Sequence, residues 1–128
     1  MGVELIVSIS RLGGFSFYGS ASSRKPISSQ RLRHFMSVRL TEDSPVDEIV
    51  ARFLSLDQVD SVESVEIGSN CSREGKSRDH QLGFMITFAD RKKLKMFLVS
   101  EDRATFLSSI EPYVSDEFVF DFESGVVG

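Results

Sequence analysis

Four short stretches of this chain place apolar residues at every second position, and the segments between them place apolar residues at helical spacing. In His34-Phe35-Met36-Ser37-Val38-Arg39-Leu40, the residues Met36, Val38 and Leu40 alternate in phase with His34, the period of a strand with one covered face. Thr41 to Pro45 reads as a turn into a helix, with Ser44 expected as N-cap, Pro45 as first helical residue, and Asp47 and Glu48 at the positive end of the dipole. Val46, Ile49, Val50, Phe53 and Leu54 form its apolar stripe, and the helix is expected to stop near residues 56–58. Ser61 to Ile67 predicts a second strand that ends at Gly68, and residues 69–81, without apolar periodicity, predict a loop. Leu82 to Phe88 is the strongest strand signal, with Phe84, Ile86 and Phe88 on one face. A helix opening at Ala89-Asp90 buries Leu94, Phe97 and Leu98, and a short helical piece after Ser100 carries Phe106, Leu107 and Ile110. Phe118, Phe120 and Phe122 share one face of a closing strand.

The predicted order is β-α-β-β-α-β, the split arrangement of an α+β, ferredoxin-like half-barrel. Its helices can cover only one face of an antiparallel four-stranded sheet. The alternation leaves apolar side chains on the other face, which therefore becomes a surface for back-to-back association into a homodimer.

Composition bounds the rest. A chain of 128 residues supports one core. Eleven Phe, two Tyr and no Trp point to a core or interface built from apolar rings. A net charge of −4 argues against a nucleic-acid partner, and no apolar run is long enough to span a membrane. Cys71 is the single cysteine, so no intramolecular disulfide can form and an intracellular, reducing setting is expected. Charge is uneven along the chain: residues 1–33 hold five basic residues and one acidic, with many Ser and Gly, against ten basic and eighteen acidic in the remainder. Residues 1–33 are expected to be a disordered leader or a transit segment for a plastid or other organelle, with a cytoplasmic location otherwise. Residues 124–128 read as a short tail.

Between these limits the residues resemble a known family. Gly83-Phe84-Met85-Ile86-Thr87-Phe88, an acidic helix start and Phe97-Leu98-Val99 are similar to the middle of stress-responsive dimeric α/β-barrel (Dabb) domains. The closing Phe118-Val119-Phe120-Asp121-Phe122-Glu123 and the opening Arg33-His34 with its alternating residues resemble the family's last and first strands. The resemblance covers His34 to about Glu123 and implies a ferredoxin-like half-barrel that pairs into a dimeric barrel. It also implies a pocket between sheet and helices. A plant polyketide cyclase of the family works there with a Tyr and a His, where this chain has Phe97 and Arg103; the family's His before the third strand's Gly is Leu82. Of the family's polar groups only the opening-strand histidine survives, as His34.

His34, Phe97 and Arg103 are thus the expected pocket residues, with His34 the one acid–base candidate, and Phe118, Phe120 and Phe122 the expected dimer interface. His80 is expected to be solvated in its loop, and Cys71 to be inert. No His-x-Glu or Cys-x-x-Cys spacing supports a metal, and no glycine pattern cradles a phosphate, so no metal and no cofactor are expected. The functional reading is a small homodimeric stress-response protein without catalysis that binds a small apolar ligand. The alternative is a cyclase or lyase-like enzyme on an aromatic or polyketide-type substrate, with His34 as its acid–base group.

Overall fold

A computed structural model describes residues 6–10 and 30–128 of the chain. Five strands form one antiparallel sheet: β1 (Ile6–Ser10), β2 (Leu32–Leu40), β3 (Ser64–Ser69), β4 (Leu82–Phe88) and β5 (Val114–Glu123), in the order β1-β3-β4-β2-β5. The helices α1 (Val46–Leu54), α2 (Arg91–Leu98) and α3 (Glu101–Ile110) connect them, with a single 3-10 turn at Ser55–Gln58 after α1. Without β1 this is the ferredoxin-like sheet that the sequence order predicts.

The register fixes what each face carries. Val65, Ile86, His34 and Asp121 lie in one row across the sheet, and Ile67, Phe84, Met36 and Val119 in the next. These rows lie beneath the helices, where Val65, Ile67, Phe84, Ile86 and Met36 are buried. Phe53 from α1 stacks on Phe84 with ring centroids 4.7 Å apart, and Phe106 from α3 meets both rings at 5.8 and 6.1 Å. Three connected elements therefore share one aromatic cluster, and edge or offset contacts of this kind add to the area they bury.

The alternate rows face away from the helices. Glu66, Met85, Phe35 and Phe120 form one, and Gly68, Gly83, Ser37 and Phe118 its neighbour. Phe118, Phe120 and Phe122 are 42%, 54% and 40% exposed. The five Phe at 84, 88, 118, 120 and 122 thus divide between two faces of one sheet: Phe84 and Phe88 into the core, the three of β5 onto the uncovered side.

Several expectations shift. β2 begins at Leu32, β3 only at Ser64, and β5 spans ten residues. Pro45, not Ser44, caps α1, because the Ser44 hydroxyl instead donates to the Thr41 carbonyl at 2.7 Å and closes the preceding turn. The expected disordered leader is corrected at both ends of what is described. Ile6–Ser10 pairs with β3 from Ser64 to Gly68, since an open sheet edge offers a row of unpaired backbone groups and a β-branched Ile-Val stretch suits it. Leu32 and Arg33 belong to β2, held by its pairing with β4 and β5. The rest of the leader expectation, at residues 1–5 and 11–29, lies outside the described residues.

Candidate functional site

The helix-side cavity holds about 310 Å³ between the sheet and the helices. It exists because β5 ends the sheet with Val119 and Glu117 facing helices that reach only partly across it. Its walls are Met36, Phe53, Phe84, Ile86, Phe97, Phe106 and Ile110, and its polar groups are His34, Arg103, Glu111 and Glu117. His34, Phe97 and Arg103, three residues from different elements, therefore line one cavity. Phe97 is buried against Phe88, with ring centroids 5.4 Å apart. Arg103 is fixed at the start of α3, where its N–H donates to the N-cap Ser100 hydroxyl and its guanidinium donates to the Leu98 carbonyl at 3.2 Å.

His34 has a partner that the alternation of residues does not signal. Asp121 sits directly across the β2–β5 ladder, and its Oδ1 lies 2.6 Å from His34 Nδ1. A carboxylate there takes the hydrogen of Nδ1 and leaves Nε2 as the nitrogen that can meet a ligand. His34 is buried while Asp121 is partly exposed at the sheet edge. Chemically the pair can orient an imidazole for proton transfer, or hold it as a hydrogen-bonding end of an apolar pocket.

On the uncovered face a second cavity, of about 580 Å³, lies under the 70–81 loop. His80 is here, and it is buried rather than solvated as its loop position suggested. Its N–H donates to the Ser77 carbonyl, and its ring is held between the Ser37 hydroxyl (2.6 Å from Nδ1) and Asp116 Oδ2 (2.7 Å from Nε2). Arg78 binds the same Asp116 oxygen at 2.8 Å. The hydrogen bonds from His80 and then Arg78 hold the Asp116 carboxyl below the usual carboxylate range. Sequence periodicity misses this cluster because Ser37, His80 and Asp116 come from three segments that only the sheet brings together. Cys71 is exposed. Among the described residues no three His, Cys, Asp or Glu side chains group as a metal site, and no helix is long and apolar enough to cross a membrane.

Comparison with known proteins follows the fold. No curated protein matches the chain. A hydroxynitrile lyase from Passiflora edulis superposes with a TM-score of 0.70 at 15% identity, covering 78% of this chain and 98% of that one. A Dabb family protein with a ferredoxin-like fold from Mesorhizobium loti gives 0.60 at 21% identity, with 77% and 99% covered. A dimeric ferredoxin-like protein of unknown function from Thermobifida fusca gives 0.62 at 12%, with 80% and 98% covered. At these identities the likeness shows the fold alone. The family model for the stress responsive A/B barrel domain matches residues 32–124, beginning at the first residue of β2 and ending one residue past β5, and by that match the chain belongs to the Dabb family.

Proposed function

We propose that this protein is a homodimer in which two sheets pack through the face carrying Phe118, Phe120 and Phe122, and that its helix-side cavity binds a small apolar molecule without transforming it. The observation that carries this reading is the lining of that cavity: seven apolar walls around a few polar groups, the make-up of a ligand pocket. His34 and Arg103 supply hydrogen bonds for a ligand with polar ends, and Phe97 supplies a flat wall. The family's description supports a stress-response setting. The test is a thermal-shift screen with small aromatic and medium-chain apolar compounds. A ligand at a hundred times its Kd stabilises a fold by about 2.7 kcal/mol, several degrees in Tm for a domain of this size. Val119→Trp, at the half-exposed edge of the cavity, should abolish the shift and keep the fold. A shift that survives Val119→Trp would place the ligand elsewhere, and no shift across the panel would end the binding reading.

One observation favours a second reading, the 2.6 Å pair of His34 and Asp121. A lyase-like or cyclase-like enzyme on an aromatic or polyketide-type substrate would use His34 as acid and base, and one protein of similar fold is a hydroxynitrile lyase. Phe97 and Arg103 lack the acid–base chemistry that the related cyclase has at those places, which is why binding ranks first. The readings separate on the fate of the compound found by the screen. Under binding it is recovered unchanged; under catalysis it is consumed, and His34→Ala stops turnover without lowering Tm.

We also propose that residues 1–33 direct the chain to an organelle, on the strength of their basic, Ser-rich and acid-poor composition. A fluorescent protein fused to residues 1–33 should concentrate in plastids or mitochondria. A cytosolic signal would leave Ile6–Ser10 with a role in the sheet alone.

A further inference from the structure

The row Gly68-Gly83-Ser37-Phe118 runs across the uncovered face, and its two glycines leave the sheet without side chains on one side of Ser37. The space is kept open closely: a Cβ on Gly83 would lie 3.3 Å from the Phe35 ring. Into this space faces the chain Ser37 Oγ to His80 Nδ1 at 2.6 Å and His80 Nε2 to Asp116 Oδ2 at 2.7 Å. The hydrogen polarity follows from Asp116. An ionised carboxylate only accepts, so Nε2 carries the hydrogen and Nδ1 presents its lone pair to the serine hydroxyl. The arrangement is conformationally expensive, since Arg78 and Asp79 are consecutive non-glycine residues at φ 52° and 61°. That backbone brings Arg78 and His80 onto the same Asp116 oxygen. Residues held in this region cluster at working sites.

We propose that Ser37 is an activated nucleophile, with His80 as its base and Asp116 as the group that orients the imidazole, acting on small carboxylic esters seated between Phe35, Phe118 and Met85. Ser37 Oγ forms a bond to the ester carbonyl carbon while its proton passes to His80 Nδ1. The C–O bond to the alcohol breaks, and the alcohol leaves with that proton. Water then attacks the acyl-serine, gives its proton to Nδ1 and releases the acid. Lys76, which lines the same cavity from the loop, is the cation nearest to hand for the transient oxyanion. The roles, not the order of residues along the chain, define such a constellation. The loop rim of this cavity is formed on the β3–β4 side, away from Phe120 and Phe122, so the dimer proposed above leaves an entrance at the 70–81 loop.

The experiment uses the full chain with Cys71→Ala, which removes the one exposed thiol as a competing acceptor. A fluorophosphonate probe should add once per chain, with the adduct mapped to Ser37, and p-nitrophenyl acetate should give a burst of one nitrophenolate per chain. His80→Gln should slow both at least tenfold while circular dichroism stays native. If His80→Gln does not fold, Asp116→Asn on the edge strand carries the same expectation. No adduct on Ser37 in the native protein would overturn the proposal. So would labelling that runs equally fast in the native protein and in a folded His80 or Asp116 variant, because a cluster that only tethers the loop would not change the reactivity of the hydroxyl.

Discussion

Phe120→Asp converts the protein to a monomer: light scattering gives twice the chain mass for the natural sequence and the single chain mass for the variant at the same micromolar concentration. Phe120 is the most exposed of the three β5 rings, and its neighbours Phe118 and Phe122 have centroids 6.2 and 6.1 Å away. Phe35 extends the patch by an edge contact to Phe118 at 6.4 Å. Four rings in continuous contact on an uncovered sheet face make an apolar surface that a lone soluble domain seldom leaves in water. A central aromatic in such a patch is where association energy concentrates, and losing it costs about 2–4 kcal/mol. That is roughly 30- to 1,000-fold in Kd, and the aspartate adds the cost of a carboxylate without a partner. Because Phe120 touches no part of the helix-side core, the monomer should keep its helices by circular dichroism and melt earlier. A natural chain that is already monomeric would refute the dimer, as would a Phe120→Asp chain that remains dimeric.

Much of this was legible in the sequence, and the parts that were not share a cause. Alternation placed Met36, Val38, Leu40, Phe84, Ile86 and Phe88 beneath the helices because side-chain period and strand geometry are locally linked. The same logic put Phe118, Phe120 and Phe122 together. It could not say which face they take, since that depends on the register of β5 against β2. The cavity residues came from resemblance rather than periodicity: Phe97 and Arg103 belong to different helices, and nothing local joins them to His34. Asp121 as the partner of His34, and Ser37 and Asp116 as partners of His80, are cross-strand or loop-to-strand contacts. They exist only once register is fixed, which is why His80 read as a solvated loop residue. Ile6–Ser10 was hidden by its surroundings, because a five-residue strand within a Ser- and Gly-rich leader has too little apolar surface to announce itself.

Phe84→Ala should be the most destabilising single truncation in the chain, because Phe84 belongs to more than one part of the structure. Its ring is 1% exposed, stacks on Phe53 from α1 and meets Phe106 from α3 edge-on. Truncation removes the surface on which both helices register, and a rigid sheet cannot collapse to fill the gap. The expected loss is about 3–5 kcal/mol, a large share of the 5–15 kcal/mol that roughly holds a domain of this size together. Urea denaturation should show it as a lower midpoint at unchanged slope. The same residue lines the helix-side cavity, so the truncation also enlarges the proposed ligand site by about one ring. Benzene or indole should then stabilise Phe84→Ala and leave the natural protein unmoved, as small aromatics do in a dry cavity cut into an apolar core. A loss below about 1 kcal/mol would mean that the core relaxes around the gap, and the rigid three-element cluster described above would be wrong. A full loss without rescue by either compound would mean that water fills the space, which would count against an apolar ligand in the neighbouring cavity.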